Sequence, residues 1–246
     1  MPFLWILLSC SGVPDRSSPK ESPSIGLHPA DTTSTVLIPI TSTADFSQAQ
    51  TRLLALVGET EHAHITLAAG VYAQSLSLGM GTLPVDITVE GTDGVWFDGA
   101  QLTVRGRNIR IADVGFKGRS HSGSLVKITA SEAASLAHVR VVDAKLSGST
   151  VNIMRSPEPP KPGERRQPAR GGKRSRPAYI ASISAGGPEP VRIEDVEIVR
   201  TTISTDALIQ VGAPHASEVI LRDLVAPDLR DKTPVNVSPS SLKITR

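Results

Sequence analysis

From residue 65 onward, short runs in which aliphatic and polar residues alternate recur along the chain. Six of them share one frame: "ITLAAGVY" at 65, "ITVEGTDGVWFDG" at 87, "IRIADVGFKG" at 109, "VRVVDAKLSG" at 139, "VRIEDVEIVR" at 191 and "VILRDLVAPD" at 219. A second alternation follows most frames, at Leu76/Leu78, Leu102/Val104, Leu125/Ile128, Ile180/Ile183 and Leu208/Val211. Period-two alternation over three to five residues is the signature of half-buried strands. Steps of 20 to 50 residues with no amphipathic helix between them mark a repeat in which each unit buries its inward face only against its neighbours. The pattern therefore predicts an all-β solenoid of about six coils over residues 41–246. One helix is expected, at 44–59, with Asp45 as N-cap and Phe46, Ala49, Leu53 and Leu56 on one face, covering the open first coil.

Four of the six frames carry an acid four places after their opening aliphatic residue, giving Asp113, Asp143, Asp195 and Asp223. Stacking would bring these into one column, with outward Arg110, Arg140 and Arg192 in a second. Aspartate accepts hydrogen bonds from its own turn and tolerates unusual backbone angles, so the column reads as the corner of the coil rather than as a metal or catalytic site.

Composition fits thin layers: apolar residues make up 39 % of the chain and aromatic residues 3 %, so the core must be built from Val, Ile, Leu and Ala. The net charge of +2 conceals a local excess, because residues 157–177, "PEPPKPGERRQPARGGKRSRP", hold seven Lys/Arg against two Glu. The remainder has 19 basic and 22 acidic residues, so the folded body gives no reason to expect nucleic acid as a partner. The segment lies within the longest step between frames and reads as a disordered basic insertion.

The frames resemble the right-handed, single-stranded parallel β-helix of the pectin-lyase-like superfamily. "ITLAAGVY" followed by a leucine strand resembles the first coil of its alginate-lyase and chondroitinase-B-like members. The resemblance implies, as an enzymatic alternative, a polysaccharide lyase or glycoside hydrolase. A lyase of this kind neutralises a uronate carboxylate and removes a proton with a positioned base. Candidates are Lys117, Arg119 and His121 in "FKGRSH", with Arg105 and Arg107, but none sits in a recognisable catalytic motif. Asp93 and Asp98 form a pair of acids around a glycine-rich turn and read as turn residues. His62 and His64 in "EHAH" share one side of an extended segment, and no third metal ligand accompanies them. No phosphate-binding glycine loop precedes a helix, and no cofactor is implied.

"LLSC" at residues 7–10 follows a short apolar run and resembles the lipobox of bacterial lipoproteins, in which the cysteine, here Cys10, is acylated. Residues 1–10 then read as a signal peptide and 11–40, rich in Ser, Pro and Thr, as a flexible tether. With Ser11 after the cysteine, the resemblance implies an outer-membrane lipoprotein of the cell envelope, held at the membrane through Cys10. The favoured function is binding or display at that surface, with acidic or neutral polysaccharide as ligand. Aligning "VWFDG" with "VGFKG" turns Val95 and Phe97 inward and Trp96 outward, in a column continued by Gly115, Lys145 and Glu197, with Asp98 beside Lys117. Trp96, Asp98, Lys117, Lys145 and Glu197 are thus the expected sugar-binding surface. A register slip of one would instead bury Trp96.

Overall fold

The computed structural model describes residues 35–56, 62–80, 83–120, 123–153 and 172–246. Cys10, the stretch 11–34, His121 and residues 157–171 lie outside the described residues. In chain order the elements are β1 (Thr35–Ile40), α1 (Phe46–Ala55), β2 (His62–Leu67), β3 (Gly70–Tyr72), β4 (Leu76–Leu78), β5 (Asp86–Gly91), β6 (Val95–Asp98) and β7 (Leu102–Gly106). Next come β8 (Ile109–Ser120), β9 (Val126–Ala130), β10 (Ala134–Leu146), β11 (Ser149–Ile153), β12 (Gly172–Arg176) and β13 (Ala181–Ala185). The chain closes with β14 (Val191–Val199), β15 (Thr202–Ile203), β16 (Ala207–Gly212), β17 (Val219–Val225), β18 (Thr233–Ser238) and β19 (Ile244–Thr245).

These strands stack as a parallel β-solenoid of about seven turns. One sheet runs β1-β2-β5-β8-β10-β14-β17-β19, with β3, β6 and β15 pairing along its bent flank, and the other runs β4-β7-β9-β13-β16-β18. The alternation in the sequence becomes rows of identical environment. Ile38, Ile65, Val89, Ile111, Leu136, Ile193 and Leu221 succeed one another coil by coil and are all buried. Burying such a side chain contributes roughly 1.5–3 kcal/mol, and each one is covered only because a neighbouring coil supplies the next. Four of the aromatic residues share one internal row: Phe46, Tyr72, Phe97 and Phe116 stack with ring centroids 5.7, 5.5 and 5.3 Å apart. The Tyr72 hydroxyl donates to the Ala68 carbonyl at 2.7 Å, so its polar end is satisfied inside the core.

The solenoid begins earlier than the expected boundary at 41. Residues 35–40 pair in register with His62–Leu67 as the first strand of the sheet, because Val36, Ile38 and Ile40 alternate like every later coil. Helix α1 is shorter than the expected 44–59 and follows a single 3-10 turn at Thr43–Asp45. Phe46, Ala49 and Leu53 are buried as anticipated. Asp45 does not cap forward into the helix. Its carboxylate accepts the backbone N–H groups of Thr41 and Ser42 at 2.8 and 2.9 Å and the Thr41 hydroxyl at 2.8 Å, bonds that hold its pKa below the usual aspartate range. The basic segment is also not wholly a loop, since Gly172–Arg176 within it forms β12, antiparallel to β11.

The aspartates are corners, but two columns exist where the sequence indicated one. Val139 pairs with Val114 and with Val196, which places His138, not Asp143, between Asp113 and Asp195. The first corner is therefore Asp113, His138, Asp195 and Asp223, with φ of 58°, 51°, 51° and 50°. A second bend, within or just past the strands, carries Gly99, Gly118, Asp143 and Arg200, with φ of 63°, 80°, 53° and 48°. Left-handed conformation costs an L-residue about 1–2 kcal/mol and is least costly for Gly, Asn and Asp, which accounts for the glycines and aspartates of both columns, while His138 and Arg200 adopt it at that cost. Strand β10 holds two such bends in 13 residues. An alignment on its one aspartate locks onto the wrong bend, and its frame in fact opens at Ala134, opposite Ile109.

Candidate functional site: a groove beside the first corner

Beyond the first corner the strands present a new outward row. Val71 pairs with Trp96, Trp96 with Gly115, Gly115 with Arg140, Arg140 with Glu197 and Glu197 with Val225. Val95 and Phe97 on either side of Trp96 are buried, so the register that turns Trp96 outward is the one adopted. The indole is half-buried rather than free: it lies against Gly115, where an added Cβ would come within 2.6 Å of Trp96 Cε3. Glycine at 115 is thus the seat of the ring, and its missing side chain is part of the site.

This row and the first corner line a groove of about 620 Å³. Trp96 stands at one end and Val225, 54 % exposed, at the other. Between them Arg140 Nε lies 3.4 Å from Glu197 Oε2 and His138 Nδ1 lies 2.8 Å from Asp195 Oδ2. The lining carries five carboxylates, Asp93, Asp113, Asp195, Glu197 and Asp223, against the single guanidinium of Arg140 and the imidazole of His138. The groove is consequently rich in hydrogen-bond acceptors and poor in fixed positive charge.

Of the residues expected to form a sugar-binding surface, Trp96 and Glu197 line this groove. Asp98 and Lys117 do face each other across coils, with Nζ and Oδ2 3.8 Å apart, yet they are not part of its lining. Lys145 is displaced. It lies past the second corner, opposite Arg119 and Thr202, and Arg140 takes the place assigned to it, for the same reason that His138 replaces Asp143. Likewise Arg110 and Arg192 share a row with Ser135 between them, and Arg140 is not in it. His138, Arg140, Asp223 and Val225 escaped notice as groove residues. Pairing each strand from its corner rather than from its aspartate would have found them.

Of the residues expected as lyase bases, Arg107 and Arg105 lie away from the groove. Arg107 Nε donates to Asp86 at 2.7 Å on the other side of the corner, and Arg105 belongs to the opposite sheet. Partial burial pulls the Asp86 pKa up, but hydrogen bonds from Arg107 and from the side chain and backbone of Asn108 outweigh it and leave the group lowered. Lys127 on the opposite sheet is lowered by burial and then by the cations of Arg176 and Arg105. His62 and His64 have their rings stacked at 6.5 Å and are engaged by neighbours in the next coil, His62 Nε2 with Thr88 at 3.0 Å and His64 Nε2 with Glu90 at 2.9 Å. Among the described residues no cluster of three His, Cys, Asp or Glu side chains is placed to hold a metal ion. No family model, curated protein or solved structure matches the chain.

Proposed function

We propose that the protein is a lipid-anchored β-solenoid of the cell envelope, tethered at the outer membrane through Cys10, that binds polysaccharide in the groove beside Trp96. The observation that carries the reading is the indole seated on Gly115 at the head of a groove lined with carboxylates. A sugar ring offers an apolar face for stacking and hydroxyl donors around its edge, which such a lining accepts. The charge of the lining selects within the class. Five carboxylates against one guanidinium repel a uronan, so the ligand is a neutral polysaccharide rather than an acidic one. The resemblance to pectin-lyase-like proteins supports a carbohydrate ligand, and fold likeness by itself assigns no activity.

Affinity electrophoresis of the full chain through gels cast with neutral glucans, xylans or uronans tests this. Retardation by a neutral polymer, lost in Trp96→Ala at unchanged melting temperature, is expected, whereas retardation by uronans alone would overturn the reading. The anchor is tested separately: a fatty-acid analogue should label the wild type and leave Cys10→Ala unlabelled.

One observation favours an enzyme instead. Asp195 holds His138 Nδ1, the arrangement that leaves an imidazole Nε2 available as a base. Ultraviolet-absorbing unsaturated product, or new reducing ends, from any polymer and their loss in His138→Ala would replace binding by catalysis.

A further inference from the structure

A second cleft lies on the first sheet before the corner, on a face that the polysaccharide reading does not use. Here outward positions stack as Thr88, Arg110, Ser135, Arg192. The two arginines are exposed, and among the described residues neither forms an ion pair. The coil between them carries only Ala133, Ala134 and Ser135 at this point, so the missing side-chain bulk opens a cleft of about 460 Å³. Neighbouring coils are about 4.8 Å apart, which sets the two arginine Cα positions about 9.6 Å from one another across Ser135. Asp86 also borders the cleft, but its carboxylate is already engaged by Arg107 and Asn108. Glu189, exposed on the rim, is the one carboxylate of the lining with no cation bound to it among the described residues.

We propose that this cleft is an anion site in which Arg110 and Arg192 clasp a phosphomonoester from opposite sides over the Ser135 hydroxyl. Two guanidiniums approaching from two directions need acceptor oxygens on both sides of the anion. A tetrahedral phosphate presents them, whereas a planar carboxylate gives both oxygens to one fork. The charge of a monoester near pH 7, about −1.5 to −2, matches two guanidiniums. Ser135 adds a short donor at the midpoint, and the small residues beside it leave room for whatever the phosphate is attached to. That group is a sugar or a lipid, and the same clasp serves both.

The test is calorimetry on the full chain carrying Cys10→Ala, so that no acyl anchor binds membrane by itself, with inorganic phosphate at low ionic strength, beside flotation of the same chain with phosphatidylcholine vesicles made with and without phosphatidic acid. Saturable heat with phosphate assigns a soluble phosphomonoester. Flotation that requires phosphatidic acid assigns a lipid headgroup, and either result supports the site. Arg110→Gln and Arg192→Gln should each weaken the response about tenfold or more, the loss expected for a charge-assisted bond. Glu189→Gln should strengthen it, and Arg140→Gln in the other groove should leave it unchanged. Because the substituted side chains are exposed, thermal melts should coincide with the wild type. Absence of both heat and phosphatidic-acid-dependent flotation, or an undiminished response in both arginine variants, overturns the proposal.

Discussion

Arg200 and Asp143 occupy the same left-handed corner in successive coils, and the guanidinium of one grips the carboxylate of the other, Nε to Oδ1 at 2.6 Å and Nη2 to Oδ2 at 2.9 Å. One corner up the strand, His138 and Asp195 repeat the arrangement at 2.8 Å. The corners thus serve the backbone first, and their side chains then pair along the stack. Both partners of the Arg200–Asp143 pair are exposed, so its value lies in orienting the corner more than in stability.

The corner role predicts an inverted order of tolerance. At Asp113, with φ of 58°, glycine removes the carboxylate and keeps the backbone, while valine keeps bulk and opposes the conformation. Asp113→Gly should melt within about 2 °C of the wild type, and Asp113→Val should lose about 2–8 °C, the equivalent of about 1–2 kcal/mol of left-handed strain. Melting temperatures should also be indifferent to chelator. A glycine variant as damaging as the valine variant would return the aspartates to a chemical role.

Asp86 predicts a pH dependence. Its pKa is lowered in the fold despite partial burial, by bonds from Arg107 and Asn108. A carboxylate with a depressed folded pKa contributes stability above its unfolded value, and that contribution is lost as pH falls through the folded value. Denaturant midpoints of wild type and Asp86→Asn should therefore differ near neutrality and converge below the ordinary aspartate range. A difference that persists unchanged in acid would show that Asp86 acts through packing alone.

The aromatic row predicts where the solenoid is most sensitive. Phe97 has 0 % exposure and stacks between Tyr72 and Phe116. Phe97→Ala should cost about 3–5 kcal/mol, read as a lowered denaturant midpoint, because the flanking coils cannot close on the void. Phe97→Leu should recover much of it, whereas equal losses in the two variants would argue that ring stacking outweighs filled volume.

Period-two alternation made the coils legible, since inward residues such as Ile65, Val89 and Ile111 are dictated by burial and declare it in the sequence. Aspartate declared that corners exist. It could not declare which corner, because His138 and Arg200 hold the same backbone conformation at the same bends without resembling it. The site inherited that ambiguity. Trp96, Gly115 and Glu197 were placed in one row by alternation alone, whereas Arg140 and Lys145 exchange positions once β10 is paired from its first bend. The charge of the groove depends on four coils being in register at once, so no single frame discloses it.

Gly115 offers the sharpest test of the binding groove, because it alters the seat of Trp96 without touching the ring. A Cβ at 115 would meet Trp96 Cε3, Cζ3 and Cδ2 at 2.6, 2.8 and 2.9 Å, well inside van der Waals contact, so the indole must lift away. The chain has two tryptophans, and Trp5→Phe leaves Trp96 as the sole reporter even in protein that retains the segment read as a signal peptide. In that background Gly115→Ala should shift the emission to longer wavelength and raise acrylamide quenching, since the ring exchanges its seat for solvent. Retardation by the neutral polysaccharide should fall together with the optical change, while the core at Val95 and Phe97, on the opposite face of the strand, keeps the melt close to that of the parent. If Gly115→Ala leaves emission and quenching as they were, the indole does not rest on this glycine. If the optics change and polymer binding does not, the ring is seated there but takes no part in recognition.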